Sequence, residues 1–394
     1  MLIHYDTFDK KWYHSYANKK FTFGKDGNLI PYTKYTQSSI PFDITVHNGN
    51  LGPLVGIMTG RKKDFTVAGN GTLFKGLQKE LVENGGISVV FTPDDIDEEG
   101  VNGYVYEPNK DGWVKVFTPL PHIVYNRIPF RKTEETEEHK NVIRVFKQKG
   151  IPFFNPSFLD KYELYSIFKK INRVKNFFPD TLLIQDGFSL KSFLDKHESL
   201  YIKPCRSSKG KGVFKIKLES NGTLYYESIE NYCHYQSFES FWEAHKQRLL
   251  RRAHISQKEI VPYLYNGKRF EFRILAHYVD NKYVVTGVGV RQSQEQNLTT
   301  HVPNGGKLIP FEEVKNEKHI KFIHDTVQVC GEILTEKLGF FGEFSIDAGL
   351  SDNGDYVIYE INSKPMSFDE EGIEKERILK LTKLFFDLSS FSKK

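Results

Sequence analysis

Residues 341–365 read FGEFSIDAGLSDNGDYVIYEINSKP, and this stretch decides the fold. Two alternating runs flank Asn353-Gly354, the dipeptide most favoured in a tight β-hairpin. A two-residue turn there sets Asp352 against Asp355 and carries Asp347 opposite Glu360, with Asn362 two residues on and on the same face as Glu360. Cross-strand neighbours lie about 4.5–5.5 Å apart at Cβ, so two facing carboxylates repel unless a cation sits between them. An all-oxygen set with one neutral amide suits Mg2+, with Mn2+ as the alternative ion, which makes Asp347, Glu360 and Asn362 the expected metal ligands. The plainer reading is a solvated hairpin. In it Phe344, Ile346, Ala348, Val357, Tyr359 and Ile361 form a core face and the acids merely meet water.

Two further segments favour the metal. In SLYIKPCRSSKGKGVFKIK, residues 199–217, a strand delivers Lys203 and a loop follows with Arg206, Ser207, Ser208, Lys209, Gly210, Lys211 and Gly212. Small residues let backbone N–H groups approach phosphate oxygens, and lysines neutralise them. No Ser/Thr and helix follow the Gly-Lys, so this is not a Walker A loop; an exposed basic hairpin is the bland alternative. In GKRFEFRILAHYV, residues 267–279, Glu271 and Arg273 share one strand face, while Phe270, Phe272 and Ile274 take the other. Arg291 ends the next strand, and His301 and Gly305-Gly306 lie in the loop beyond it. Arginines there can clamp a γ-phosphate or an acyl phosphate, against the alternative of a surface Glu271–Arg273 salt bridge.

The surrounding chain sets the context. Its 394 residues allow two or three domains, and a net charge of +5 without a long basic block gives no reason to invoke nucleic acid. Three scattered cysteines, Cys205, Cys233 and Cys330, offer neither a zinc pair nor a disulfide framework, which suits a reducing cytoplasm. No classical signal and no run of 18 apolar residues are seen, so neither secretion nor membrane spanning is expected. Residues 1–40 read as a small β extension. Residues 41–130 read as an α/β domain with a partly parallel sheet, including a helix through Leu73, Leu77 and Leu81. Residues 131–394 open with a helix capped by Thr133 and continue with an amphipathic helix from about Lys161 to Phe177. They then turn β-rich, with helices at about 317–338 and at the C-terminus.

Taken together, the motifs GPLVGIMTG, PHIVYNRI, LDKYELYSIF, YIKP with its Gly-rich loop, RFEFRIL, VTGVGVR, the Gly-Gly loop and FGEFSIDAGL…YEINSKP resemble the ATP-grasp superfamily. The likeness is to its YheC/YheD branch of bacterial endospore coat-associated proteins, over about Leu54 to Pro365. The resemblance implies an α/β (α+β) ATP-grasp fold: two β-rich lobes, about 161–258 and 259–394, enclosing a nucleotide cleft behind a small pre-ATP-grasp domain. It implies ATP and Mg2+ as cofactors, with Lys161 and Lys203 on ATP and residues 206–212 over its phosphates. Gln257, Lys258, Glu259 and Ile260 would be the adenine hinge, and Arg273, Arg291 and Lys203 the catalytic groups. Glu271 stands where the branch commonly has Asp, and His301 where it often has Asn.

The implied reaction is ligation: ATP phosphorylates a carboxylate and an amine attacks the acyl phosphate, with small-molecule or peptide substrates. A small-molecule kinase on the same fold, or a coat-associated protein that binds ATP without turnover, are the alternatives. A dinucleotide site at Gly69–Gly71 lacks its third glycine. Tyr125, Asn126 and Arg127 are either acceptor contacts or a tie between two domains. Cys205 is read as incidental, and spore association rests on the resemblance alone.

Overall fold

Five β-sheets organise the computed structural model, which describes residues 1–34, 39–207, 211–293 and 306–392. Ser208, Lys209, Gly210, His301 and Gly305 lie outside the described residues. The first two sheets are small. Leu2–Asp6 pairs with Lys11–His14 and Ser39–Asp43, and Phe21–Phe23, Asn28–Ile30, Thr45–His47 and Asn50–Gly52 form the second. The expected boundary at residue 40 therefore cuts through a paired strand. Ile3, Trp12, Phe42 and Leu51 pack into one core with Leu54, Val89 and Val116 of the third sheet, so the β extension is fused to the α/β domain.

That third sheet runs Gly112–Thr118, Val101–Glu107, Ile87–Phe91, Leu54–Met58, Ile123–Asn126, Phe153–Phe154. The last four strands are mutually parallel and the 101–118 hairpin is antiparallel, as the apolar strand runs suggest. Helix Gly71–Glu83 bridges the first two parallel strands, capped by the Asn70 side chain accepting from the Leu73 N–H. Phe153–Phe154 and the helix Glu137–Gln148, through Val142 and Phe146, belong to this domain and extend it to about residue 155, beyond the expected 130. Thr136 rather than Thr133 caps that helix, accepting from the His139 N–H, because Thr133 is spent in a separate short turn, Arg131–Glu134.

Two antiparallel six-stranded sheets make the rest. The smaller lobe orders Thr181–Leu183, His254–Lys258, Ser199–Pro204, Phe214–Leu218, Leu224–Ser228 and Tyr232–Tyr235, backed by helices Gly187–His197 and Phe238–Arg251. The larger lobe orders Lys307–Ile309, Lys282–Gln292, Lys268–Val279, Glu343–Leu350 and Tyr356–Asn362, with Leu264–Tyr265 paired at its side. Helix Glu317–Leu338 covers one face with Ile323, Val327, Cys330 and Leu334, capped by Asn316 and stopped at Gly339 in a left-handed conformation. The helix expected from Lys161 to Phe177 ends at Phe168; the chain turns there, which brings Phe178 onto the Phe168 ring.

The C-terminal helix Glu371–Leu388 lies between domains. Its Leu381, Leu384 and Phe385 join Val55, Ile57 and Ile123 of the parallel sheet and Leu77 of helix Gly71–Glu83 in one cluster. Its first turns press on strand Lys282–Gln292, where a Cβ on Gly287 would come within 2.6 Å of Ile373 and one on Gly289 within 2.6 Å of Glu370. The glycines of VTGVGVR thus serve close packing of a helix.

At the same junction Glu343 is fully buried. Arg377 donates to both its oxygens at 2.9 and 2.8 Å, Arg127 reaches it at 3.1 Å, the Tyr125 hydroxyl donates to it, and His277 stands 3.4 Å away. Burial alone would push this carboxyl up, yet Arg377, His277 and Arg127 hold it well below the usual carboxylate range. Tyr125 and Arg127 therefore tie the parallel sheet to the larger lobe, as does Asn126, whose amide donates to Glu134, the ion-pair partner of Lys364. Arg377→Met is expected to cost about 3–5 kcal/mol in urea denaturation, because it strands a buried charge. Adding Glu343→Gln to it should recover part of the loss.

Candidate functional site

Asp347 pairs with Glu360, but by a different route from a two-residue turn. The loop is Asp352, Asn353 and Gly354, closed by the Ser351 N–H donating to the Asp355 carbonyl at 2.8 Å, with Gly354 at φ +82°. Asp352 therefore does not face Asp355. Partners next to the loop are shifted by one, Leu350 with Tyr356 and Ala348 with Ile358. A β-bulge then inserts Tyr359 and restores the register at Asp347–Glu360 and Ser345–Asn362. The core face is Phe344, Ile346, Ala348, Ile358 and Ile361, while Tyr359 leaves the expected core face and lines the cleft beside Glu360.

The smaller lobe brings its lysines to this hairpin. Lys161 opens the helix Lys161–Phe168, whose N-cap is Asp160, and its ammonium donates to Glu360 Oε1 at 2.5 Å and to the Ser207 carbonyl at 3.1 Å. Lys203 ends its strand one residue before Pro204 and donates to Gln257 Oε1 at 2.6 Å. Burial, reinforced by the Lys161 charge, pushes the Lys203 ammonium down to about 8. Ser207 lines the cleft, Lys211 and Gly212 are exposed at its edge, and Arg206 turns outward to Glu135 at 2.8 Å and Asp160 at 3.4 Å. Gln257, Lys258 and Ile260 line the cleft at the crossing between lobes, and Glu259 pairs with Lys215 at 2.6 Å. Cys205 is buried and its thiol is pushed up to about 12, the condition of an inert cysteine.

The larger lobe contributes the arginines. Arg273 lies in register beside Asp347, donates to the Met366 and Ser367 carbonyls at 2.8 and 2.9 Å, and stacks 4.1 Å from the Phe368 ring. Burial and the neighbouring Arg291 push its guanidinium down to about 10. Arg291 pairs across the strands with Glu271, and Glu271 is ion-paired with Arg269. Arg269, Tyr201 and Tyr359 also line the cleft, and sequence reasoning passed over them. Arg269 was readable there, since it shares a period-two face with Glu271 and Arg273.

Asp347 and Glu360 are the carboxylates of this cleft that could hold a hard divalent cation. Asp347 Oδ1 is buried without a hydrogen-bond partner, and burial ahead of all else pushes the carboxyl up to about 6, even with Arg291 and Arg273 near. Asn362 Nδ2 lies 3.4 Å from Asp347 Oδ2, and Lys161 puts a positive charge on Glu360. Two carboxylates and an amide are the donor set of an ion completed by phosphates and water. Among the described residues no trio of His, Cys, Asp or Glu gathers as a metal cluster, here or elsewhere, and no helix is long and apolar enough to cross a membrane.

Two antiparallel lobes closing on a cleft with lysines on one side and a carboxylate–amide hairpin on the other define an ATP-grasp fold. The D-alanyl-alanine synthetase A of Vibrio cholerae shares it, with a TM-score of 0.51 at 12% identity over 86% of this chain and 99% of that one. The chain belongs to the YheC/D like ATP-grasp family, whose model matches residues 150–391. Endospore coat-associated protein YheD of Bacillus subtilis is 28% identical over 352 residues, covering 82% of this chain and 75% of that protein. Endospore coat-associated protein YheC of the same organism is 22% identical over 309 residues, 73% of this chain and 83% of that one.

Lys203 is charged below about pH 8 and loses its proton as pH rises through that value. If Lys203 takes polyphosphate, binding needs its charged form, and ADP affinity by calorimetry is then expected to hold below pH 8 and fall above it. Lys203→Met should bind more weakly and lack that alkaline fall.

Proposed function

We propose that the protein is an ATP-dependent carboxylate–amine ligase, with ATP and Mg2+ held between the lobes. The observation that carries this reading is the meeting, across one cleft, of Lys161 and Lys203 with Asp347, Glu360, Arg273 and Arg291. Asp347, Glu360 and Asn362 would hold the metal, which when bound supplies charge neutralisation at the phosphate oxygens. Lys203 and the loop at 206–212 would take the phosphates. The adenine edge falls to the 257–260 segment. There the Lys258 and Glu259 N–H groups already serve the Asp180 and Ser199 carbonyls, so the contacts come from its carbonyls and from Ile260.

In the first step a substrate carboxylate oxygen bonds to the γ-phosphorus, and the bridging oxygen leaves with its electron pair as ADP. In the second an amine nitrogen bonds to the acyl carbon and sheds a proton, and inorganic phosphate departs. Arg273, its fork fixed by two carbonyls and an aromatic face, and Arg291 would spread the charge that develops on the transferring phosphoryl group. Substrates of this kind are small-molecule or peptide carboxylates and amines, handled in the cytoplasm; the names of the relatives attach spore association to the same reading.

Product analysis tests it. ADP release in a screen of amino-acid and peptide pairs should require both a carboxylate and an amine, with mass spectrometry finding the condensed product. A kinase would instead release ADP with a hydroxyl acceptor alone. Glu360→Ala is expected to lower turnover by about 100-fold or more, and unchanged ADP formation would overturn the catalytic reading.

A further inference from the structure

Lys161 bridges three parts of the cleft. It starts the helix Lys161–Phe168, its ammonium lies 2.5 Å from Glu360 Oε1 on the larger lobe, and it donates at 3.1 Å to the Ser207 carbonyl where the phosphate loop begins. Its side chain is 14% exposed, against 29% for Glu360, so the pair is not a loose surface contact. Lys203, a second lysine of the cleft, is bonded to a neutral amide oxygen on its own lobe. The two cations are therefore not equivalent: one rests on a candidate metal ligand and the other does not.

We propose that Lys161 competes with the divalent cation for Glu360, so that metal loads together with nucleotide rather than ahead of it. This rests on the ligase-type reading of the cleft. Mg2+ gives up its water reluctantly and takes one or two carboxylates plus phosphate oxygens. A metal ion arriving alone must displace an ammonium already hydrogen-bonded to Glu360, with no phosphate to complete its shell. An arriving polyphosphate changes both sides of the exchange. It offers Lys161 another anion close to the Ser207 end of the loop, and it offers the metal the oxygens that the protein does not supply. By linkage the coupling is reciprocal, and metal strengthens nucleotide binding by the same factor. The functional consequence is that free Mg2+ does not occupy the cleft without ATP.

Mn2+ serves as the probe, its binding to the full-length protein followed by electron paramagnetic resonance with and without ADP. Wild type is expected to bind Mn2+ weakly alone and at least about tenfold more tightly with ADP, within the usual range of such couplings. Lys161→Met should raise Mn2+ affinity without nucleotide by about tenfold and shrink the ADP effect. Lys161→Arg, which keeps a cation at the same place, should stay near wild type and reports on folding. Lys203→Met removes a neighbouring charge that does not touch Glu360, and should raise nucleotide-free Mn2+ affinity far less. Equal gains in Lys161→Met and Lys203→Met, or no gain in Lys161→Met, would overturn the competition even where wild type binds ADP. Failure of wild type to bind ADP with Mn2+ present would instead overturn the nucleotide reading itself.

Discussion

The carboxylate of Glu343 is the charge on which the architecture turns. It opens the strand that carries Asp347, and its partners come from the parallel sheet through Tyr125 and Arg127 and from the C-terminal helix through Arg377. The neighbouring backbone is pinned as well: the Gly342 and Glu343 N–H groups both donate to Asn155 Oδ1, and the Asn155 amide returns a bond to the Glu343 carbonyl. Removing Arg377 leaves the fully buried Glu343 carboxylate short of its main counter-charge, which is far costlier than losing a surface pair. The base of the Asp347–Glu360 hairpin is thus held from three directions, and the position of Asp347 depends on that anchoring.

A second layer of buried charge lies close by. Lys364, two residues past Asn362, is ion-paired with Glu134 and donates to the Ile128 carbonyl, and burial pushes its ammonium down to about 8 despite that partner. Glu134 also accepts from the Asn126 amide and the Phe158 N–H. Both strands of the pair that presents Asp347 and Glu360 are therefore anchored, at the open end of the hairpin, by charges in the interior. A site meant to bind a highly charged ligand gains from such fixed dipoles and ions, because little has to rearrange when the ligand arrives.

How far the sequence was legible depended on whether the signal was local. Helix Glu317–Leu338 carried its own cap, apolar stripe and stop, and its bounds are set by them. The Asp347–Glu360 pairing was also readable, though by compensation: the three-residue loop moved the register one way and the bulge at Tyr359 moved it back. Domain limits were not readable, because periodicity identifies a strand without saying which sheet it joins. Phe153–Phe154 has two residues and no alternation to betray its place beside Ile123–Asn126. Glu343 gives no hint in sequence of Arg377, and the Gly287–Gly289 pair reads as a flexible motif until the helix above it is seen.

The C-terminal helix has one more implication, for the order in which the molecule can be completed. The apolar face formed by Val55, Ile57, Leu77 and Ile123 is covered by Leu381, Leu384, Phe385 and Phe391, the last part of the described chain to leave the ribosome. The parallel sheet is therefore synthesised long before its cover, and it must wait with an oily surface turned to water while both lobes are made. Apolar surface left open in this way is where a growing chain is most prone to associate wrongly. A ragged or tagged C-terminus would disturb the first domain to be made rather than the last.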